Sequence, residues 1–254
     1  MDDPVSVVRR LYAADIFYLT PKLLAGIFDL DAPQAYALLE RLTRQGLVVA
    51  VEKGKYLLVG LQPERVLGNP LFIAAQLAHP SYISYWSALH YHGLTEQVPH
   101  TVFVATTRKK RPVAFQGHRF RYVTIKPDKF FGYRRESVGD LPVVVADPEK
   151  ALIDSLEQPR YAGGMAEVVA ALAAATPDLD ISLLLDYAAR MGDRSLASRL
   201  GYLLTAQGIL ADGLPISAAP VLLDPHSPAE GGYDIRWRVR VNLSHAQLHR
   251  EGIG

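Results

Sequence analysis

One stretch near the start of the chain, residues 20–58, most strongly limits what the protein can fold into. Thr20 followed by Pro21 is typical of the first turn of a helix, because a hydroxyl caps free backbone N–H groups and proline needs no N–H there. Apolar residues then recur at helical spacing, and residues 29–31 form a turn as short as a helix-turn-helix requires. A second helix follows, which Gly46 is expected to end in a left-handed conformation. Two β-like segments around a Lys-Gly turn complete the pattern of a winged helix-turn-helix.

The second helix presents a polar face that suits the edges of DNA bases. Its predicted buried residues are Ala35, Leu38, Leu39 and Leu42. On the outward side, glutamine can bond to adenine and arginine to guanine, while the small Ala37 allows close approach. Two lysines flank the hairpin tip, where a wing meets phosphate. The predicted DNA-binding residues are Gln34, Arg41, Arg44, Lys53 and Lys55. The same fold also serves protein contacts, and that alternative stays open.

Composition places the chain among ordinary soluble proteins. Its 254 residues suffice for two or three domains, and its hydrophobic and charged fractions are 49% and 21%. No apolar run reaches the roughly 20 residues that a membrane helix needs, and residues 1–4 lack the apolar core of a signal peptide. The absence of cysteine excludes disulfides, cysteine-ligated zinc and thiol catalysis. We therefore expect a cytoplasmic protein without membrane contact.

Positive charge is concentrated in the middle of the chain. Residues 1–60 carry seven Lys/Arg and seven Asp/Glu, whereas residues 101–135 carry ten Lys/Arg and one acid. Part of this basic segment reads as a β-strand in which Phe120 and Tyr122 alternate with arginines, so one strand face is basic. Such a stripe suits a phosphate backbone or another partner, although a solvated surface is the simpler alternative. The candidate contact residues are Arg108, Lys109, Lys110, Arg111, Arg119 and Arg121.

The pattern of elements predicts an α+β protein. We expect a winged helix-turn-helix domain at residues 1–62, a Pro- and Gly-containing connector at 63–70, and a larger mixed α+β domain with a helical C-terminal part at 71–254. Within the larger domain, Ser81 is expected to start a helix that runs to His92. Residues 141–146 are expected to form a buried strand, and residues 235–241 another strand.

Acidic residues around the start of one predicted helix are the most enzyme-like feature. Asp147, Glu149, Lys150 and Asp154 resemble the acid-and-lysine sets of metal-dependent nucleases or nucleotidyl-transferring enzymes. The simpler interpretation is a helix cap, with Asp147 as the capping residue and proline in the first helical position. Histidines 90 and 92 diverge on a helix and do not predict a metal site. We predict a protein without catalytic residues, metal or cofactor, with the enzyme as the alternative function.

Several motifs, in order along the chain, resemble the AbiEi-type antitoxins, which are transcriptional regulators of bacterial type IV toxin–antitoxin, or abortive-infection, systems. The first is YISYWSALHYHGLT at 82–95, followed by QVP at 97–99. Similar stretches are FFG at 130–132, VADPEKALID at 145–154, Pro159 with the glycine pair 163–164, RLGYLL at 199–204 and RWRVRVN at 236–242. The resemblance covers nearly the whole chain.

This resemblance implies a repressor that takes part in phage defence. Its N-terminal winged helix would bind double-stranded DNA of the operon's own promoter, and its larger domain would counter a nucleotidyltransferase-like toxin, directly or indirectly. The family offers no catalytic residues to carry over. The resemblance assigns the DNA-reading role of the family to Gln34, Arg41, Arg44, Lys53 and Lys55.

Overall fold

The computed structural model describes residues 3–248, which form a mixed α+β structure with three sheets. These residues divide into two compact units. The first unit holds residues 3–79, 114–118 and 137–143, and the second holds 80–113, 119–136 and 144–248.

The first unit begins with helices and a small sheet. Its elements to residue 79 are α1 (Pro4–Ala13), β1 (Tyr18–Leu19), α2 (Pro21–Phe28), α3 (Ala32–Arg44), β2 (Val48–Glu52), β3 (Lys55–Leu58), α4 (Pro63–Leu67) and α5 (Pro70–Gln76). The sheet order is β1-β3-β2, and both strand pairs are antiparallel. The first three helices and strand β3 each contribute a fully buried leucine, namely Leu11, Leu24, Leu39 and Leu57. Amphipathic helices packed on a small sheet bury their apolar faces in this way.

A six-stranded sheet has the order β6-β7-β5-β4-β9-β8. Its strands are β4 (Ser81–Ile83), β5 (Thr101–Thr106), β6 (Val113–Phe115), β7 (His118–Thr124), β8 (Tyr133–Val138) and β9 (Leu141–Ala146). Strand β5 pairs antiparallel with β4 and parallel with β7, and β4 pairs parallel with β9. The central strands are apolar on both faces, which is typical of strands covered by other elements.

The remaining helices of the second unit follow the sheet in the chain, apart from α6, which lies between β4 and β5. They are α6 (Tyr85–Tyr91), α7 (Pro148–Glu157), α8 (Met165–Ala175), α9 (Ile181–Arg190), α10 (Arg194–Ala206) and α11 (His245–Leu248). Short 3-10 turns lie at Pro127–Lys129, Pro159–Tyr161 and Thr176–Asp178. A three-stranded sheet lies between α10 and α11 in the chain, with β10 (Val221–Leu222), β11 (Gly232–Asp234) and β12 (Val239–Val241) in the order β10-β12-β11.

Two sequence-based predictions about secondary structure are wrong. Ser81–Ile83 is a strand rather than the start of a helix, and α6 begins only at Tyr85. Three residues are too few to show a period, and pairing with β5 and β9 decides their conformation. The strand expected from residue 235 is confined to Val239–Val241, because Arg238 adopts a left-handed φ of 56° that interrupts an extended chain.

The stretch 63–70 is more structured than a connector of turns. It contains helix α4 and the first residue of α5, both of which begin with proline. Arg65 donates from Nη2 to the carbonyl oxygen of Asp140 (3.0 Å), and Asn69 donates from Nδ2 to that of Val138 (2.5 Å). These bonds lie within the first unit. The domain limits 1–62 and 71–254 remain predictions.

Among residues 3–248, none of the helices combines the length and the apolar character needed to cross a membrane.

Candidate nucleic-acid interface

Helix α2 and the turn after it are determined by local capping. The backbone N–H of Leu23 donates to Thr20 Oγ1 (3.1 Å), and Pro21 occupies the first helical position, as predicted. The helix ends at Phe28, and Asp29 adopts a left-handed φ of 51°. The next helix begins at Ala32, so the two helices are joined by the short turn that the sequence indicates.

Helix α3 starts with a capping box that uses one of the predicted DNA-binding residues. Gln34 N–H donates to Asp31 Oδ1 (2.8 Å), and Asp31 N–H donates to Gln34 Oε1 (3.0 Å). The side-chain oxygen of Gln34 is therefore engaged within the helix, while its amide N–H₂ group is not held by the cap. Bidentate bonding of Gln34 to adenine would require this cap to open, because that contact needs both the oxygen and the N–H₂ group.

The two faces of α3 are sorted as the sequence predicts. The four predicted buried residues are all buried, with Ala35 and Leu42 fully inaccessible. The helix ends at Arg44, and Gly46 follows with a left-handed φ of 70°, which confirms its predicted role as a stop. Arg44 is exposed, whereas Arg41 is half-buried.

Two exposed residues of α3 are not among those that the sequence predicts to bind DNA. Tyr36 is a large side chain that is 58% exposed. Glu40 Oε1 lies 2.7 Å from Arg44 Nη2, and these two side chains are 73% and 72% exposed. A signal for both was present in the sequence, because residues 36, 40 and 44 follow one another at the four-residue spacing that places side chains on one side of a helix. They line the outward face together with Ala37.

The hairpin β2–β3 places the two predicted lysines at its tip. Glu52 pairs with Lys55 in the antiparallel register, and the intervening turn contains Gly54 at a left-handed φ of 69°. Lys53 is exposed. Lys55 Nζ lies 3.3 Å from Glu52 Oε2. Burial works against the charged form of Lys55, but Tyr18 and Glu52 outweigh it and raise its pKa. Lys55 therefore carries positive charge near neutral pH.

In the second unit, β7 alternates as predicted. Arg119 and Arg121 are exposed, while Phe120 and Tyr122 are buried. Parallel pairing aligns Arg121 with Phe103 of the neighbouring strand β5. Residues two apart on a strand point to the same face, so the two arginines form a basic stripe on β7, which lies between β5 and the edge strand β6.

The basic stripe continues onto the 3-10 turn after α7. The guanidinium carbon of Arg121 lies 5.3 Å from the ring centre of Tyr161, and that of Arg160 lies 4.7 Å from the same ring. Lys110 is placed differently, since its Nζ lies 5.3 Å from the ring centre of Tyr122, whose side chain belongs to the opposite face of β7. Arg108, Lys109 and Arg111 are exposed in the preceding loop. The six candidate residues therefore do not all share one sheet face.

The enzyme-like cluster around α7 has structural partners. Asp147 caps the helix by accepting from Lys150 N–H (2.8 Å) and also accepts from Tyr187 Oη (2.9 Å). Burial raises the pKa of Asp147. Burial together with Asp147 raises that of Tyr187 to about 12. Glu149 accepts from the N–H of Asp180 at 3.0 Å.

Asp154 lies inside the second unit and is already saturated with donors. Its Oδ1 forms an ion pair with Lys150 Nζ, and its Oδ2 accepts from Tyr82 Oη (3.0 Å) and Ser84 Oγ (2.7 Å). Lys150 and Asp154 are both fully buried. This carboxylate has no access for a substrate. Within residues 3–248, no three His, Asp or Glu side chains are grouped closely enough to hold a metal ion.

Comparison with known proteins gives information about the fold alone. No protein-family model matches the sequence. No curated protein matches it either. Among solved structures, the chain is similar to the crystal structure of the RV2827C protein from Mycobacterium tuberculosis, with 17% sequence identity and a TM-score of 0.59. The similarity covers 92% of this chain and 89% of that one, so the two proteins share a fold over nearly their whole lengths.

Proposed function

We propose that the protein is a DNA-binding transcriptional repressor and the antitoxin of a type IV toxin–antitoxin system of the AbiEi type. Residues 1–62 act as a winged helix-turn-helix that binds the operon's own promoter. Residues 71–254 counter a nucleotidyltransferase-like toxin. The observation that carries the DNA-binding part is the geometry of α2, its short turn and α3, which leaves the polar face of α3 exposed beside the lysine-bearing hairpin.

Exposure and anchoring together support α3 as the DNA-reading helix. Its leucines hold it to the core of the first unit, so the outward side chains are mounted on a rigid element. Arg44 reaches solvent from this helix, and Lys53 does so from the tip of the hairpin. A winged helix is expected to contact bases through the helix and phosphates through the wing.

The charge balance of the chain supports a second contact surface. Residues 1–60 are formally neutral, so long-range attraction to a polyanion must arise elsewhere. Arg119 and Arg121 form no ion pair within residues 3–248, whereas Arg44, Lys55, Lys129 and Lys150 each have a carboxylate partner. Arginines without a counter-ion on a rigid sheet favour an anionic partner.

The first experiment is a gel shift of the full chain with the DNA immediately upstream of its gene. We expect a specific shift, and we expect Arg44→Ala to weaken it roughly tenfold, because one bidentate base contact contributes about 1–3 kcal/mol. Arg194→Ala changes an exposed arginine of the second unit and is the matched control. Undiminished binding by Arg44→Ala would remove α3 as the reading helix. Absence of any shift at low salt would refute the DNA-binding proposal.

The basic segment is tested by two variants of the full chain. In one, Arg119 and Arg121 become serine, and in the other residues 108–111 all become serine. Each is expected to weaken promoter binding or rescue from the co-expressed neighbouring toxin, because each removes cations from the same segment. Arg194→Ser/Arg236→Ser, which changes two exposed arginines of the second unit outside this segment, is the matched control. If both readouts are unchanged in both variants, the segment is only a solvated surface.

A further inference from the structure

We propose that Glu40 and Arg44 act as one unit that reads a guanine–cytosine base pair in the major groove, and that Tyr36 contacts a neighbouring thymine. This inference rests on the proposed DNA-binding function and defines its sequence preference. Glu40 is the residue whose role it changes most, because an acid on a DNA-reading helix would otherwise only repel phosphate.

The carboxylate of Glu40 is placed on the part of α3 that DNA would approach. Glu40 and Arg44 are one helical turn apart and in contact, with Oε1 and Nη2 2.7 Å apart. Both lie opposite the buried leucines of the helix, and both remain largely exposed. The Glu40 carboxylate, which accepts hydrogen bonds, and the Arg44 guanidinium, which donates them, therefore lie side by side.

This pair of groups complements one base pair in particular. Guanine exposes two acceptors in the major groove, N7 and O6, which the arginine fork meets bidentately. Its partner cytosine exposes the N4 amino donor, which a carboxylate accepts. The ion pair also restrains the Arg44 side chain before DNA binds, so fewer rotamers are lost on contact.

The neutral charge of this part of the chain makes base contacts more important. Residues 1–60 carry as many acids as bases, and Glu40 is one of those acids. A carboxylate facing phosphate would lower affinity for every sequence equally. A carboxylate that faces cytosine lowers affinity only for sites with another base at that position. It therefore contributes to sequence specificity.

Tyr36 extends the same surface toward the start of the helix. It lies one turn before Glu40, and 58% of its surface is exposed although its ring is apolar. The C5-methyl group of thymine is the apolar feature of the major groove that such a ring can cover. Ala37, next to it, leaves room for that approach.

The test is selection of binding sites from a pool of randomised duplex DNA by the full chain. We expect the wild type to select a motif with a G·C pair and a nearby T·A pair. Glu40→Gln is expected to lower the preference for this G·C pair roughly tenfold, because a neutral amide accepts more weakly from cytosine N4 than a carboxylate does and its donor and acceptor also match adenine. Tyr36→Ala is expected to lose the thymine preference while the G·C preference remains.

Glu64→Gln is the matched control, since it neutralises an exposed acid of the first unit that lies outside α3. Its selected motif should equal that of the wild type. If the wild type selects a motif that Glu40→Gln leaves unchanged, or binds DNA without sequence preference, the assignment of Glu40 is wrong while DNA binding stands. If the wild type retains no DNA from the pool, the proposed function itself fails.

Discussion

Replacing Lys150 by methionine is expected to lower the free energy of unfolding by about 3–5 kcal/mol, because the buried carboxylate of Asp154 would lose its counter-ion. Methionine keeps the length and flexibility of the side chain, so the loss of charge dominates over the loss of volume. The ammonium group is enclosed by apolar neighbours, with its Nζ 4.8 Å from the ring centre of Phe131 and 5.6 Å from that of Tyr82. The Lys150 side chain is fully buried.

Chemical denaturation followed by circular dichroism would measure this effect. The double variant Lys150→Met/Asp154→Asn is expected to recover part of the lost stability, since no unpaired charge remains and the amide oxygen can still accept from Tyr82 and Ser84. Arg44→Met is the matched control, because it breaks an ion pair of the same four-residue spacing on an exposed helix face and should cost less than about 1 kcal/mol. Equal effects of Lys150→Met and Arg44→Met would contradict the buried-pair interpretation.

Raising the salt concentration from about 50 to about 200 mM is expected to weaken promoter binding about 40-fold. This value assumes that Arg41, Lys53 and Lys55 each neutralise one phosphate while Arg44 reads a base, which gives a log–log slope near −2.7 per protomer. If Arg44 also met phosphate, the slope would approach −3.6. Fluorescence anisotropy with a labelled promoter fragment over a salt series measures it.

Variants separate the two kinds of contact in this experiment. Lys53→Ser/Lys55→Ser is expected to reduce the slope to about −0.9, because two phosphate contacts are lost. Arg44→Ala should lower affinity at every salt concentration without changing the slope, as expected for a base contact. A wild-type slope steeper than −3.6 would show that cations outside these four also meet DNA, and Arg119→Ser/Arg121→Ser should then make it shallower. A slope near zero would exclude phosphate contacts altogether.

The segment from Thr20 to Gly46 shows how much the sequence determines locally. The hydroxyl cap, the short turn, the Asp31 start and the glycine stop all depend on residues within four positions of one another, and the structure has each of them. The same holds for Asp147, which caps α7 as predicted. These interactions join residues that are close in sequence, so spacing and residue type suffice to predict them.

The outward face of α3 was only partly predictable. Spacing correctly separated leucines from polar residues, but it did not show that Gln34 is held by the cap or that Glu40 contacts Arg44. Side-chain rotamers decide these contacts, and several rotamers are compatible with the same sequence pattern. The contacts of the exposed side chains are therefore decided by the tertiary structure.

By itself, the sequence determined the helices of the N-terminal part, their buried faces and the alternation of arginine with aromatic residues in β7. Only the tertiary structure decided that Ser81–Ile83 is a strand and that Lys150 and Asp154 are core residues rather than parts of an exposed acidic cluster. Tyr82 donates a hydrogen bond to Asp154 although 72 positions separate the two residues in the chain. Contacts between residues so far apart in the chain depend on which elements pack together. The residue pattern of one segment does not predict the segment against which it packs.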